Sequence, residues 1–531
     1  MPSTVNTQTS ATYDEMPYIN KAFPQTHPDR LATLAKLFGV TPADIDTCRV
    51  LELGCASGDN LIPMALGLPK ASFLGIDFSR RQIDEGRETV GALGLSNIEL
   101  RQADIAEVDA SYGTFDFIVC HGIYSWVPAP IRDKVLAICK ENLAPHGVAF
   151  VSYNTYPGWH MREMIRNMML YHSAAAGDAQ AKVRQARALL AFLAQSVPAD
   201  TPFSQFLKQE LELTGRKEDA YLYHDHLEET NQPVYFHQFA AAAQQHGLQY
   251  LAEADFSRML LSNFPPQVAD ALRPIGADIV RLEQYMDFVR SRMFRQTLLV
   301  HQGVRIERKL DPQAPRGFYL ATLAQPVEAP VAPDQGVAAT FRAPHGATLT
   351  TRSSVTKAAM LLLAERWPLG LPFAELAAAA RARVQEGTGV AADPAAAARD
   401  EAQLASEMMQ CYGVGVIELR VRAPKLCLTP SARPVASPLA RLQVERGRQL
   451  TNLRHELVVL DEANRQVLRL FDGNRDRDAL VAAMVRLAKD GALHVQREGR
   501  LLTEGPILEG MLRRGLEENL PRFARAGLIL R

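Results

Sequence analysis

The sequence predicts an α/β protein: a doubly wound, seven-stranded sheet with helical insertions, followed by two small α+β domains. The first observation behind this class is an apolar run at residues 49–53, which stops at a glycine-rich turn and is followed by an apolar helix from Leu61. That order of strand, tight loop and helix is typical of a doubly wound sheet. The second observation is that apolar runs recur at residues 71–77, 98–101 and 115–120, where the next three strands are expected.

Three further strands complete the expected sheet. Residues 148–153, 248–256 and 294–301 read as strands, and the last two are expected to close the sheet as an antiparallel hairpin. Apolar residues at helical spacing occupy much of the sequence between them. Residues 161–233 and 262–293 are therefore expected as helical insertions within the sheet domain.

The sheet domain is expected to span residues 1–303, and smaller units follow it. Residues 304–345 are rich in Pro, Ala and Val, a composition that predicts a semi-extended linker. Residues 439–531 contain three helical patterns and a turn, and they are expected to form a winged-helix-like domain at the end of the chain.

A second winged-helix-like domain is expected just before it, at residues 346–428. Three helical patterns precede a turn at Ala423 and Pro424. The wing is expected as a hairpin between residues 415–422 and 425–428.

Composition limits the classes of function. The chain has 531 residues, 47% of them hydrophobic, and a formal net charge of −1. Its basic residues form no stripe, so a nucleic acid partner is not expected. Residues 1–12 lack the features of a signal peptide, and no apolar run is long enough for membrane insertion. Six scattered cysteines without a Cys-x-x-Cys pair predict a reduced, cytoplasmic protein with no metal site.

The loop after the first strand carries the strongest chemical signal. It reads Glu-x-Gly-x-Ala-x-Gly, with Glu52, Gly54, Ala56 and Gly58 at the informative positions, rather than the Gly-x-Gly-x-x-Gly of a dinucleotide site. The carboxylate of Glu52 would repel a diphosphate, but it suits a cation with an amino-acid tail such as S-adenosylmethionine. A ligand-free α/β turn is the alternative for this loop taken alone.

Acids at the next strand ends agree with a cofactor site. Asp77, followed by Phe78, ends the second strand close to the distance at which an acid binds a ribose. Asp104 and Ile105 follow the third strand and are expected to hold the adenine, and His121 follows the fourth. Each acid alone could equally be a loop or cap residue.

Aromatic residues follow the fourth and fifth strands, on the edge of the sheet where ligands bind. We expect His121, Tyr124, Trp126, Tyr153 and Trp159 to face the acceptor of the reaction, with His121 or His160 as a proton relay. The alternative is that Trp126 and Trp159 close the ends of the crevice as packing residues.

Two other segments remain open between a structural and a functional role. The N-terminal arm with Tyr13, Tyr18, Phe23 and His27 is either a lid over the cofactor or a strap packed on the sheet edge. The segment 224–226, His-Asp-His, is a helix cap, a substrate contact or a pair of metal ligands.

The strand ends together resemble those of class I S-adenosylmethionine-dependent methyltransferases, with Ala56 where many members have glycine. Within that class, Tyr-Ser-Trp-Val-Pro at 124–128, the segment 224–236 and the segments 283–288 and 294–299 resemble bacterial methyltransferases with a methyltransferase regulatory domain. That family includes the lysine methyltransferases that act on rickettsial outer-membrane protein.

The resemblance implies a homodimer and a protein lysine as one possible methyl acceptor. A lysine would have to lose its proton first, and desolvation among aromatic rings would lower its pKa. Two alternatives stay open from the sequence: a methyltransferase that acts on a small molecule, and a cofactor-sensing regulator that binds DNA through its winged tail.

Overall fold

The structure is a computed structural model that describes Met16 and residues 21–331, 336–388 and 394–531. Tyr13 and Tyr18 of the expected lid lie outside these residues. In the part of the chain that is described, no helix is both long and apolar enough to cross a membrane.

One seven-stranded sheet organises the first part of the chain. Its strands are β1 (Arg49–Leu53), β2 (Ser72–Asp77), β3 (Ile98–Gln102), β4 (Phe115–Cys120), β5 (Leu143–Asn154), β6 (Leu248–Glu253) and β7 (Phe294–His301). The spatial order is β3-β2-β1-β4-β5-β7-β6. Strands β1 to β5 pair in parallel, whereas β7 runs antiparallel to both of its neighbours. The predicted doubly wound sheet and its closing hairpin are therefore confirmed.

Helices cover both faces of this sheet and extend beyond it. They are α1 (Pro28–Leu37), α2 (Leu61–Gly67), α3 (Arg80–Leu93), α4 (Ala129–Glu141), α5 (Trp159–Ser173), α6 (Ala179–Ser196), α7 (Pro202–Gly215), α8 (Asp219–Leu222), α9 (Phe236–Gln245), α10 (Pro266–Leu272) and α11 (Ile279–Arg290). A π-helical turn, Tyr223–Leu227, continues α8. Helices α5 to α8 and α10 to α11 lie in the two stretches that the sequence marks as helical insertions.

A buried group of charges fixes the second insertion to the sheet. Arg295 on β7 is fully buried and donates to Glu253 on β6, and to Glu283 and Asp287 on α11, with N–O distances of 2.7–2.9 Å. Arg292 also pairs with Glu253. Because each charge has an opposite partner, burial of the group is tolerated, and α11 is held against the end of the sheet.

The middle of the chain forms two small sheets and three helices. These elements are β8 (Tyr319–Ala321), β9 (Gln325–Pro326), β10 (Ala339–Arg342), β11 (Thr348–Thr351), α12 (Ser354–Arg366), β12 (Leu371–Pro372), α13 (Phe373–Thr388), α14 (Pro394–Gly413) and β13 (Glu418–Arg420). The sheets have the orders β11-β10-β9 and β12-β8-β13. The three helices match the sequence prediction.

The predicted wing of this middle region is wrong. Strand β13 pairs with β8, about 100 residues away, and residues 425–428 form no strand. The reason is that the backbone N–H groups of Val421 and Arg422 donate to the Asp29 carboxylate on α1, at 3.1 Å each, which ends the strand there. Strands β8 to β10 also lie within 304–345, the expected linker, because Leu320 and Phe341 are fully buried in the core shared with α1.

The last module is a separate packed unit. Its elements are α15 (Pro438–Arg446), β14 (Gln449–Thr451), β15 (Leu457–Val459), α16 (Glu462–Arg469), α17 (Arg477–Lys489), β16 (Val495–Arg497), β17 (Arg500–Leu502) and α18 (Pro506–Arg525). Its own hydrophobic core includes Leu468, Phe471, Leu516 and Phe523. Helices α16 to α18 match the prediction, whereas the β16–β17 hairpin was not predicted.

Candidate active site

A cavity of about 490 Å³ lies beyond the carboxyl ends of β1, β2 and β4. This is the edge where a doubly wound sheet binds its ligands. Most of the predicted site residues line the cavity together: Glu52, Gly54, Ala56, Asp77, Phe78, Asp104, Ile105, His121, Trp126 and Trp159.

The loop after β1 forms the floor of the cavity. Gly54 has a φ of +74°, and a Cβ at that position would lie 2.3 Å from Ile123 Cδ1, so the loop requires glycine there. Ala56 has a φ of +49°, an uncommon conformation for a residue with a Cβ. Its N–H donates to Asp77 Oδ2 at 2.8 Å, and this bond holds the loop against the end of β2.

Glu52 places a buried carboxylate at one end of the cavity. Its Oε1 accepts a hydrogen bond from Asn60 Nδ2 at 2.8 Å, whereas Oε2 is buried without a hydrogen-bond partner among the described residues. Burial, together with the nearby Asp77, raises the pKa of Glu52 to about 8. An unsatisfied buried carboxylate oxygen is costly unless a donor binds it, so the site fits the α-ammonium group of a methionine tail.

Asp77 and Asp104 line the part of the cavity next to Glu52. Asp77 Oδ1 accepts from the Ser79 N–H at 2.9 Å, and Oδ2 accepts from Ala56. Because each carboxylate oxygen has two lone pairs, both can also accept from the hydroxyls of a ribose. Asp104 Oδ1 caps the following turn through the Ala106 N–H at 2.9 Å, which fixes the side chain beside the cavity.

His121 stands between the cofactor loop and the aromatic residues. Its Nδ1 is 2.9 Å from Ser152 Oγ, which also accepts from the Gly122 N–H at 2.8 Å. The Phe23 ring lies 4.0 Å from the His121 ring, centroid to centroid. Burial, and the positive charge of Lys21, lower the pKa of His121 to about 4. The imidazole is therefore neutral near pH 7.

Two tryptophans also line the cavity. The rings of Trp126 and Trp159 meet edge to face, with centroids 6.5 Å apart. Trp159 is buried, its Nε1 has no hydrogen-bond partner among the described residues, and the Arg162 guanidinium lies 5.4 Å from its ring centroid. Phe294 of β7 completes this aromatic wall.

Residues in and beside the π-helical turn also line the cavity. They are His224 and Asp225 of the turn itself, with Tyr221 before it and Thr230 after it. Burial raises the pKa of Asp225, against the lowering effects of Tyr221 and Arg162. A π-helical turn often marks a functional site, because the extra residue redirects side chains. The sequence had left a substrate contact open for His224 and Asp225, whereas no motif in it marked Tyr221 or Thr230.

The metal hypothesis for that segment finds no support in its contacts. His224 Nδ1 lies 2.9 Å from Glu228 Oε1, and its Nε2 lies 2.6 Å from the Met16 carbonyl oxygen. His226 is buried outside the cavity lining. Among the described residues, no group of three or more His, Cys, Asp or Glu side chains is placed so that it could hold a metal ion.

Three family models match the chain in consecutive segments. They are described as "Methyltransferase domain" at residues 50–147, "Predicted methyltransferase regulatory domain" at 218–301 and "PKMT, C-terminal winged helix domain" at 432–528.

Relatives from Rickettsia match nearly the whole chain. The uncharacterized protein RP789 of Rickettsia prowazekii is 36% identical over 92% of this chain and 88% of its own length. The structure of PKMT2 from Rickettsia typhi in complex with AdoHcy is 31% identical, with a TM-score of 0.87 over 97% of this chain and 100% of that one. The chain belongs to the family of class I methyltransferases that includes these two rickettsial proteins. It is an S-adenosylmethionine-dependent enzyme, as the sequence predicts.

Some predicted residues of the methyltransferase lie outside the cavity lining. Tyr153 stacks on Phe239 at 4.2 Å, and its hydroxyl is 3.0 Å from Thr297 Oγ1. Tyr124 is buried and packs edge to face on the same Phe239 ring, at 5.2 Å. Tyr153 does not line the cavity because side chains alternate along a strand. Ser152 contacts His121, so the next side chain, Tyr153, lies on the opposite face of the sheet. The structure therefore places both tyrosines in the core.

Gly58 and His160 also lie outside the lining. Gly58 has a φ of +77°, and its N–H donates to the Cys55 carbonyl at 2.8 Å. It therefore stabilises the turn of the loop without contacting the cavity. The exposed His160 ring stacks on Tyr156 at 3.9 Å, and its Nε2 is 3.2 Å from the Tyr235 hydroxyl. Of the expected lid, Phe23 lines the cavity, whereas His27 is the N-cap of α1.

Proposed function

We propose that this methyltransferase transfers a methyl group to the side-chain amine of a lysine in a protein. The observation that carries the proposal is one continuous cavity that is lined both by Glu52 and Asp77 and by the Trp126–Trp159 pair and Asp225. The family likeness to rickettsial PKMT2, a protein lysine methyltransferase, supports the choice of acceptor.

The carboxylates at the strand ends would hold the cofactor. Glu52 Oε2 would bind the α-ammonium group, Asp77 the ribose hydroxyls, and Asp104 with Phe78 and Ile105 the adenine. Gly54 and Ala56 would let the backbone approach the methionine tail. Bound in this way, S-adenosylmethionine supplies an electrophilic methyl group on a sulfonium.

The aromatic wall would receive the lysine. The faces of Trp126 and Trp159 attract a cation, and their apolar surface removes water from it. Asp225 would bind the ammonium group as it enters. Desolvation among the rings lowers the pKa of the amine, so that it would release a proton to solvent water before it reacts. The lone pair of the nitrogen would then be free to accept the methyl group, and the sulfonium would leave as a thioether.

His121 would act by staying neutral. Because its pKa is held at about 4, it adds no positive charge beside the sulfonium or the entering ammonium. Its bond to Ser152 keeps the ring edge fixed in the cavity, where it positions the acceptor. This role replaces the proton relay that the sequence suggested for His121 or His160.

Methyl transfer to a protein mixture tests the acceptor class. The enzyme would be incubated with S-adenosylmethionine labelled on the methyl group and two samples of one bacterial lysate, one untreated and one with its lysines propionylated. We expect label on lysine residues of the untreated proteins and little on the blocked ones. Equal labelling of both protein samples, or label confined to small molecules, would contradict the proposal.

The assembly and location of the enzyme are also proposals. We propose a homodimer in the cytoplasm, supported by the family resemblance and by six free cysteines, five of them buried. Sedimentation of the purified enzyme and cell fractionation test the two statements separately.

We also propose the domain limits 1–303, 346–428 and 439–531, with strands β8 to β10 of the expected linker belonging to the middle unit because they pair with its strands. Because the first two share a hydrophobic core, we expect limited proteolysis to release the last module first.

A further inference from the structure

A loop of the C-terminal winged-helix domain reaches the cofactor end of the active site. It lies between β14 and β15, and its residue His455 is buried against the methyltransferase domain. His455 Nε2 is 2.9 Å from Asn60 Oδ1, and its ring centroid is 5.3 Å from that of His27. A residue almost 400 positions away in the chain therefore contacts Asn60, whose side chain is hydrogen-bonded to Glu52 of β1.

The Asn60 side chain uses all of its hydrogen-bonding capacity at this point. Its Nδ2 donates to Glu52 Oε1 at 2.8 Å and to Thr26 Oγ1 at 3.0 Å. Its Oδ1 accepts from the Phe23 N–H at 2.9 Å and from His455. Because a backbone N–H can only donate, the amide oxygen must face Phe23 and the amide nitrogen must face Glu52.

The hydrogen bond to Asn60 also determines which ring nitrogen of His455 carries the proton. Asn60 Oδ1 can only accept, so the proton of the imidazole must be on Nε2. Burial, together with Arg420, lowers the pKa of His455 to about 3, so the ring is neutral near pH 7. Its Nδ1 is buried without a hydrogen-bond partner among the described residues.

The loop around His455 is held from the other side. Arg454 Nη2 donates to Glu418 Oε2 at 2.7 Å, Nη1 donates to the Pro368 carbonyl at 3.0 Å, and the guanidinium lies 4.1 Å from the Trp367 ring centroid. The left-handed backbone of His455, with a φ of +64°, is thus kept in place by the middle region. Such a conformation persists only when its surroundings determine it.

We propose that His455 is a positioning residue of the cofactor site, through which the C-terminal domain holds Asn60 and thereby directs Glu52 Oε2 at the cofactor's ammonium group. The inference rests on the proposed assignment of Glu52 to the methionine tail. It gives the winged-helix domain a role in cofactor binding rather than in binding DNA.

Two substitutions at this position separate positioning from stability. His455→Gln keeps a donor at about the reach of Nε2, whereas His455→Asn is too short to reach Asn60. Asparagine accepts a left-handed backbone more readily than glutamine. The Asn variant should therefore be at least as stable as the Gln variant, although it loses the hydrogen bond. His494→Asn, an exposed histidine of the same domain, is the matched control.

Calorimetric titration of AdoHcy into each variant of the full-length enzyme gives the readout, with the thermal midpoint measured in parallel. We expect His455→Asn to weaken AdoHcy binding by about 3- to 10-fold, the range for one hydrogen bond, and to raise the KM for S-adenosylmethionine without changing kcat. We expect His455→Gln and His494→Asn to bind AdoHcy within about twofold of the parent. The first variant keeps the hydrogen bond to Asn60, and the second lies away from it.

Unchanged AdoHcy affinity in His455→Asn would overturn the inference. So would equal losses in the Asn and Gln variants, because affinity would then not depend on the reach of the donor. Glu52→Gln separates this failure from that of the proposed site. If Glu52→Gln weakens binding while the His455 variants do not, only the inference fails; if Glu52→Gln has no effect, the cofactor assignment fails.

Discussion

Asn60 Nδ2 lies 2.8 Å from Glu52 Oε1, and among the described residues this is the one hydrogen bond to the Glu52 carboxylate. The second oxygen is buried beside the cavity. The folded enzyme without cofactor thus carries a carboxylate that is better protonated than charged. Binding of the cofactor's ammonium would reverse that preference, since a nearby cation favours the ionised form.

The first prediction concerns the pH dependence of stability. The pKa of Glu52 is about 8 in the folded enzyme against an ordinary 4.5, so the folded state holds this proton more tightly than the unfolded state. The contribution of protonated Glu52 to the free energy of unfolding is full below pH 4.5 and is lost as the pH rises towards 8. Glu52→Gln removes this loss, and we expect it to stabilise the cofactor-free enzyme by on the order of 1–3 kcal/mol at pH 8.

Thermal unfolding of the cofactor-free parent and Glu52→Gln at pH 6 and pH 9 measures this effect. The midpoint of Glu52→Gln should exceed that of the parent by more at pH 9 than at pH 6. A difference in midpoint that does not change with pH would contradict the raised pKa.

The second prediction concerns the aromatic wall. Trp126→Ala should lower kcat by about tenfold or more, because the acceptor loses the ring that orients and desolvates it. Trp126→Phe keeps an aromatic face and should retain more of the rate. Single-turnover methylation measures both, and AdoHcy titration confirms that the cofactor end is intact. Full activity in Trp126→Ala would exclude this wall from the acceptor site.

The third prediction concerns Asp225. Asp225→Asn keeps the shape of the side chain but removes the charge that would bind the acceptor's ammonium. We expect the KM for a lysine-containing protein to rise by roughly tenfold, as for loss of a charged hydrogen bond, with AdoHcy affinity unchanged. Steady-state kinetics at saturating S-adenosylmethionine measures it. If the KM for the cofactor rises instead, Asp225 belongs to the cofactor end.

The fourth prediction concerns the buried charges behind the cavity. Arg295→Met leaves Glu253, Glu283 and Asp287 without their main counter-charge, which should destabilise the enzyme by about 3–5 kcal/mol. The exposed pair Arg258–Asp255 is the control, and Arg258→Ala should change stability by about 1 kcal/mol or less. Denaturant unfolding measures both. Similar small effects would mean that the buried group does not hold α11 in place.

The sequence was sufficient to predict the sheet and the convergence of Glu52, Asp77 and Asp104 on one cavity. Apolar runs mark each strand, and the site residues follow these strands within a few positions, so their convergence follows from parallel topology alone. Asp77 is an example: it ends β2 and contacts the loop after β1 through the Ala56 N–H. Local signals of this kind do not depend on distant residues.

The acceptor end depends on information that periodicity does not carry. Asn154 and Tyr153 are neighbours on β5, yet only Asn154 lines the cavity, because register decides which face each residue occupies. Asp225 reaches the site through a π-helical turn at the end of an insertion, and His455 through the packing of a separate domain. The pairing of β13 with β8 likewise depends on a contact across about 100 residues.

Calorimetric titration of AdoHcy at pH 7, in two buffers of different ionisation enthalpy, tests the central claim that a buried carboxylate at the end of β1 binds the cofactor's ammonium group. For the parent we expect tight binding with release of roughly one proton, as Glu52 ionises on binding. For Glu52→Gln we expect binding weaker by roughly 10- to 100-fold and no proton release. Equal affinities and equal proton release in the two proteins would contradict the account.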